Sequence, residues 1–405
     1  MEILQLCNKV PYPPIDGGAI ATLNMTKGFS DLNHKVTVLS MNTSKHYFDL
    51  VSLSKDIKKY ANFVGVDVKA NITATGAFLN LLLSNKPYNA QRFINLKFRK
   101  KLIELLENKK FDVIQLEGIY LAPYIKHIRM YSDALISLRA HNIEYEIWQR
   151  VAKQEENKLK VRYLNILQKR IKKFETSFIN KYDVLVPITK RDLEIYNKLG
   201  NNKPAHVSQT GINSNELVSD LNNIDFPSLF HIGALDWAPN QEGLKWFFNN
   251  CWTKLNKKYP DLKFYVAGRN APDNIVEYFK TLTNVVYVGE VENAYDFINS
   301  KAIMVVPLLS GSGMRIKIVE GMALGKAIVT TSIGTEGINS TNKEDVFIAD
   351  TPETFVLEIE KLLRDKNLVL QTGKNAIDFI VKNFDNKIIT SSLVDFYRNN
   401  ITIGQ

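Results

Sequence analysis

The run from Pro307 to Lys326 holds the residues most suited to chemistry. Gly311, Ser312, Gly313 and Met314 are followed by Arg315, Lys317 and Glu320, with the apolar stretch Ala302 to Val306 before them and a helix-forming segment after. Glycines let a backbone close around an anion, and the first N–H groups of a helix point toward it. Arg315 and Lys317 add full charge beside those dipoles. Glu320 follows Lys317 by about one helical turn, where a carboxylate can accept from neutral hydroxyls. Phosphate and sugar hydroxyls side by side describe a nucleotide or a nucleotide sugar. The same residues also fit a plain strand-to-helix connection with a solvated basic helix start.

Two more clusters fall where strands should end. Pro11-Tyr12-Pro13-Pro14-Ile15-Asp16-Gly17-Gly18 follows the apolar start Ile3 to Cys7, and Gly17 and Gly18 at a helix start allow close approach of a substrate. There is no G-x-G-x-x-G fingerprint, so dinucleotide binding is not indicated. Arg139-Ala140-His141-Asn142-Ile143-Glu144 follows another apolar stretch. His141 can hydrogen-bond a sugar hydroxyl or a backbone carbonyl there, with Asn142 and Glu144 beside it. Gly334-Thr335-Glu336-Gly337 ends a later strand, so Thr335 and Glu336 either reach a ligand or form a turn.

Short Val- and Ile-rich runs alternate with helix-period segments, the pattern of parallel sheets covered by helices. The first half offers strands at Ile3–Cys7, Val36–Met41, Val113–Glu117, Ala134–Leu138, Val184–Ile188 and His206–Thr210. The second half repeats the alternation from Leu229–Leu235 to Val346–Ala349. The polar stretch Asn213 to Pro227 reads as a linker. The expected architecture is α/β, with two doubly wound Rossmann-like domains facing a central cleft: 1–215, a linker at 216–227, 228–383, and a closing helix at 384–405 that can pack back on the first domain. Ligands of such sheets sit beyond the carboxyl ends of the strands. A ligand held from both sides of the linker predicts domain closure on binding.

The 405 residues suit two domains. With 52 basic and 42 acidic residues the net charge is +10, which favours an anionic partner. The lysines are scattered, without a nucleic-acid motif or an aromatic-interleaved basic face, so no nucleic-acid partner is expected. Cys7 and Cys251 lack a metal-ligand pattern. Neither a basic-apolar leader nor a run of 18 apolar residues is seen, which predicts a cytoplasmic protein. Basic residues from Lys153 to Lys173 interleave with Val161, Leu164, Ile171 and Phe174. That surface suits either solvent or peripheral contact with the inner face of a membrane.

The Pro11–Gly18 loop, the His141-Asn142-Ile143-Glu144 element and the run Gly313–Gly325, in this order, resemble the retaining glycosyltransferases of the two-Rossmann GT-B fold. The resemblance is strongest from Phe230 to Gly337, and it points to the group containing bacterial mannosyl-, glucosyl- and N-acetylglucosaminyltransferases of cell-surface glycan assembly. It implies a UDP- or GDP-sugar donor, a glycan or lipid-linked acceptor, and no cofactor. Such enzymes generally carry two glutamates separated by seven residues. Glu320 matches the second, which meets the ribose, whereas Ser312 stands at the first. They often place an arginine and a lysine after the first strand of the second domain, where this chain has Ala234 and Trp237-Ala238-Pro239-Asn240. Arg315 and Lys317, with Arg269, are then expected to carry the diphosphate's charge, with the amides of Gly313 and Met314. The chain contains no Asp-x-Asp pair, so no metal ligand set is expected. The serine at position 312 also allows a non-catalytic, nucleotide-sugar-binding partner of another transferase.

Overall fold

A computed structural model describes residues 1–311 and 313–401. Ser312 lies outside the described residues. The chain divides into two compact units, one formed by residues 1–211 with those from 386 onward, the other by residues 212–385. The first contains β1 (Glu2–Cys7), β2 (Lys35–Thr43), β3 (Asn62–Val68), β4 (Val113–Glu117), β5 (Leu135–Ala140) and β6 (Val184–Pro187). The second contains β7 (Asp225–Ile232), β8 (Lys263–Ala267), β9 (Val285–Gly289), β10 (Lys301–Val306), β11 (Ala327–Thr330) and β12 (Phe347–Ile348). All neighbouring strands pair parallel, in the orders β3-β2-β1-β4-β5-β6 and β12-β11-β10-β7-β8-β9. Counted from its own first strand, each sheet has the same doubly wound order. The order reverses between β1 and β4 and between β7 and β10, so loops leaving those strands diverge and open a crevice.

Both faces of each sheet are covered by helices, which explains the unbroken apolar strands. Ala302 to Val306 of β10 are all at most 1% exposed. Polar residues interrupt this pattern mainly at the carboxyl ends. There the register sets Glu117 of β4 beside Cys7 of β1 and Arg139 of β5. The helix Asn386–Ile401 packs on the helix Gly17–Asp31, and a Cβ on Gly28 would come 2.2 Å from Thr390 Oγ1, so a glycine is needed for this approach. Tyr397 from the same helix donates to Gln115 Oε1 at 2.7 Å on β4.

Three expectations need correction. His206–Thr210 is not a strand, although it runs beside β6. His206 N–H and Ser208 N–H donate to the carbonyls of Leu185 and Pro187, but Pro187 has no N–H to return, so the ladder stops. A strand also forms at Asn62–Val68, where the sequence reading places none. It is an edge strand with alternating exposure, and Gly65 and Asp67 weaken its β signal. The linker is shorter than 216–227, since β7 begins at Asp225, and Phe384 ends the helix Lys366–Phe384 instead of opening the closing helix.

Candidate active site

In the second unit the site grows from β10. Its loop turns through Gly311 and Gly313 at φ of 129° and 73°, conformations that exclude most side chains. Arg315 is the N-cap residue of the helix Ile316–Ala323, and its own side chain does not cap that helix. Its guanidinium is buried, donates to the Gly313 carbonyl, and lies 5.9 Å from the centre of the Trp237 ring.

Lys317 reaches toward β7, where its Nζ is 2.7 Å from Asn240 Oδ1 and 3.2 Å from His231 Nε2. His231 is wholly buried, with Nδ1 2.8 Å from the Val305 carbonyl. A carbonyl only accepts, so Nδ1 carries the proton and Nε2 offers a lone pair to the lysine. Burial, reinforced by the Lys317 charge, holds this histidine well below its ordinary range and keeps it neutral. Asn240 is fixed in turn by donating Nδ2–H to the Ala234 carbonyl at 2.8 Å. Two acceptors meet three ammonium N–H groups, so one is left without a partner among the described residues. Burial and the neighbouring Arg315 bring Lys317 down to about 7. A Cβ on Gly233 would lie 3.1 Å from the lysine Nζ and 3.0 Å from Asn240 Nδ2, so the small residue makes room for the ammonium.

Glu320 sits farther along the same helix and accepts from Tyr295 OH at 3.1 Å. Burial raises it to about 7 despite that bond. The Arg269 carbonyl receives Leu235 N–H at 2.9 Å, joining the loops after β7 and β8. Thr335 and Glu336 lie in the turn after β11, with Thr335 Oγ1 donating to the Ser332 carbonyl at 3.2 Å. Gly313 and Met314 belong to the loop immediately before Arg315.

In the first unit the β1–β4 crevice is a cavity of about 140 Å³, lined among others by Lys9, Gly18, Glu117, Tyr120, His141 and Glu144. Asn142 also lines it. Glu117 is its electrostatic centre. It accepts from His141 Nε2 at 2.6 Å, Arg139 Nη1 at 3.2 Å and Thr22 Oγ1 at 3.2 Å, and also from Gln115. Burial alone would push this carboxyl up, but Arg139, His141 and Gln115 together hold it at about 2. The carboxylate therefore fixes the His141 proton on Nε2, and Nδ1 has no partner among the described residues. Gly118, at φ 103°, turns the chain away directly after this glutamate.

Glu144 opens the helix Glu144–Gln154 and accepts from Tyr120 OH at 2.8 Å, with burial raising its pKa. Glu175 accepts from the N–H groups of Glu144 and Tyr145, each at 3.3 Å, and so caps that helix. Burial first, then Glu144, raises Glu175 to about 7. The helix Gly17–Asp31, where Gly17 and Gly18 are expected to allow close approach of a substrate, is capped at its start by a side chain. Asp16 accepts from Ala19 N–H at 3.0 Å and pairs with Lys9 at 2.5 Å, so a carboxylate already occupies the position an anion would take. A Cβ on Gly18 would stand 3.4 Å from Asp16 Oδ1, an ordinary contact, so crowding within this unit does not demand a glycine.

The structure thus brings Arg315, Lys317 and Glu320 onto one helix, and Gly18, His141, Asn142 and Glu144 around one cavity. Glu117 was not singled out from sequence, and Arg139, His231, Gly233 and Asn240 were given no role of their own, although each contacts or lines these positions. A signal for Glu117 was present: Gln115 and Glu117 alternate with Ile114 and Leu116 at the end of a buried strand.

Residues 226–365 match the family described as Glycosyl transferases group 1. A Klebsiella pneumoniae protein, described as an uncharacterized 44.6 kDa protein in a cps region, is 25% identical over 410 residues, covering 97% of this chain and 98% of its own. Sucrose-phosphate synthase from Thermosynechococcus elongatus superposes with a TM-score of 0.73 at 14% identity, covering 100% of both chains. Anabaena HepE in complex with UDP superposes with a TM-score of 0.68 at 12% identity, covering 98% of this chain and 100% of HepE. The fold is GT-B, as the two doubly wound sheets require. Residues 226–365 thus resemble a group 1 glycosyltransferase domain, and the whole chain has the fold of the GT-B structures it superposes on.

Proposed function

We propose that the chain transfers a sugar from a nucleoside-diphosphate sugar to a glycan or lipid-linked acceptor, with retention of configuration. The observation that carries this reading is the placement of Lys317. Two neutral acceptors orient its ammonium beside Arg315, at the start of the helix Ile316–Ala323. Departure of the diphosphate builds negative charge on its oxygens, and two positioned cations with the N–H groups of a helix start stabilise that charge without reorganising. Glu320 accepts from the ribose hydroxyls. Arg269 and the amides of Gly313 and Met314 complete the donor contacts, and Thr335 and Glu336 border them.

In the first unit Glu117 holds His141 so that Nδ1 is presented to an acceptor hydroxyl, with Asn142 and Glu144 beside it, Gly18 bordering the same crevice and Gly17 next to it in the chain. HepE has been solved with UDP and with UDP-glucose, which supports a donor of that class. The cps-region relative supports an acceptor in cell-surface polysaccharide assembly.

Thermal-shift measurements with UDP-, GDP-, ADP- and TDP-sugars, followed by product analysis with the best donor, test the proposal. A ligand that binds only the folded protein raises the midpoint by mass action. One sugar nucleotide is expected to stabilise the chain and to be consumed with an acceptor. Stabilisation without turnover for any acceptor would make the chain a binding partner instead, and no stabilisation by any of them would refute the donor site.

A further inference from the structure

The helix Ala74–Leu83 presents an apolar face to solvent. Phe78, Leu79, Leu82 and Leu83 are 54–81% exposed and fall within one arc of about 140° at 100° per residue. This face is held outward by firm contacts on the opposite side. Asn80 is buried and donates to the Lys86 carbonyl at 3.1 Å. Arg170, from the helix Lys158–Phe178, donates to the carbonyls of Asn80 and Leu81 at 3.3 and 2.9 Å, satisfying the last turn of the apolar helix.

The surroundings are cationic. From Val68 to Ile103 the sequence has no aspartate or glutamate, whereas Lys69, Lys86, Lys97 and Lys100 fall there and are exposed. The helix that supplies Arg170 carries Arg162, Lys169 and Lys173 exposed on one face, together with Leu159 and Ile166. Large apolar residues beside exposed lysines and arginines match an anionic lipid interface, where apolar insertion and cation attraction add. None of the described helices is long and apolar enough to cross a membrane.

We propose that this face of the first unit docks on the surface of an anionic bilayer, with Phe78, Leu79, Leu82 and Leu83 entering the headgroup boundary and Lys169 and Lys173 meeting lipid phosphates. The proposal does not depend on the donor reading, because its test contains no nucleotide.

The test is flotation of the full chain with vesicles of phosphatidylcholine alone and of phosphatidylcholine mixed with phosphatidylglycerol. Binding to the mixed vesicles only, weakened by salt, is the expected result. The pair Phe78→Ser with Leu82→Ser and the pair Lys169→Glu with Lys173→Glu should each reduce it on the order of tenfold or more. All four positions are exposed, so circular dichroism and melting temperature should remain at wild-type values. Absence of binding, equal binding to both vesicle types, or full binding by the folded variants would each overturn the proposal. So would a wild-type dimer that ignores lipid and becomes monomeric in Phe78→Ser with Leu82→Ser, since a second copy would then cover the face.

Discussion

Donor binding should be strongest near neutral pH, with its two limbs assigned to two residues on one helix. Lys317 stands at about 7 in the free protein because burial and Arg315 disfavour its charge. A bound diphosphate favours that charge, so above pH 7 the protein must take up a proton to bind. Each pH unit beyond the free value then costs about 1.4 kcal/mol, or tenfold in affinity, until the pKa of the complex is reached. Glu320, also raised to about 7 by burial, works in the opposite direction. Hydroxyl donors favour its carboxylate, so below pH 7 binding must release a proton. UDP-glucose is a suitable probe, since its diphosphate has no proton that titrates near neutrality. Calorimetry in buffers of different ionisation enthalpy counts the protons directly: net uptake at about pH 8 and net release at about pH 6. Lys317→Arg keeps the charge at every pH and should abolish the uptake and flatten the basic limb. Glu320→Gln should abolish the release. Flat affinity from about pH 6 to pH 8, or identical proton exchange in both variants, would refute the assignment.

Gly233→Ala places a methyl 3.1 Å from the Lys317 Nζ, and it should weaken UDP-glucose binding about tenfold by displacing a charge-assisted contact, with little change in melting temperature; unaltered affinity would show that the ammonium is not a donor contact. Glu117→Gln leaves buried Arg139 without its counter-charge and should cost about 3 kcal/mol at neutral pH in urea unfolding. In the wild type Glu117 is at about 2 against an ordinary 4.5, so its contribution is complete above pH 4.5 and lost as the pH falls toward 2; a variant as stable as wild type at pH 7 would contradict this. Turnover should survive EDTA, because Arg315 and Lys317 supply fixed positive charge; activity lost with EDTA and restored by magnesium or manganese would show that a metal bridges the diphosphate.

The sheets were legible because nearly every strand is sandwiched between helices and therefore apolar along its length. Asn62–Val68 escaped notice as a half-exposed edge, and His206–Thr210 misled because its β-like pattern runs beside a strand whose last residue is Pro187. Arg315, Lys317 and Glu320 could be read because they lie within six residues of one another. Their supports could not. His231 and Asn240 stand 86 and 77 positions from Lys317. Their role depends on β7 lying next to β10, a pairing fixed by the sheet order. Glu117 and His141 are likewise joined only through the adjacency of β4 and β5. Asp16 is the opposite case: its N-cap position could be foreseen from sequence, but its pairing with Lys9 requires the fold of the proline loop.

The helix Asn386–Ile401 makes the first unit discontinuous in sequence, while the second is one unbroken stretch, residues 212–385. During synthesis the second unit has all its residues before the last helix of the first unit leaves the ribosome. Until then Met25 and Gly28 of the helix Gly17–Asp31 lack Thr390, and Gln115 and Ser137 lack the Tyr397 hydroxyl that joins them. The first unit is consequently the last to mature, and a ribosome that stalls before residue 386 releases a chain with one completed unit and one open core.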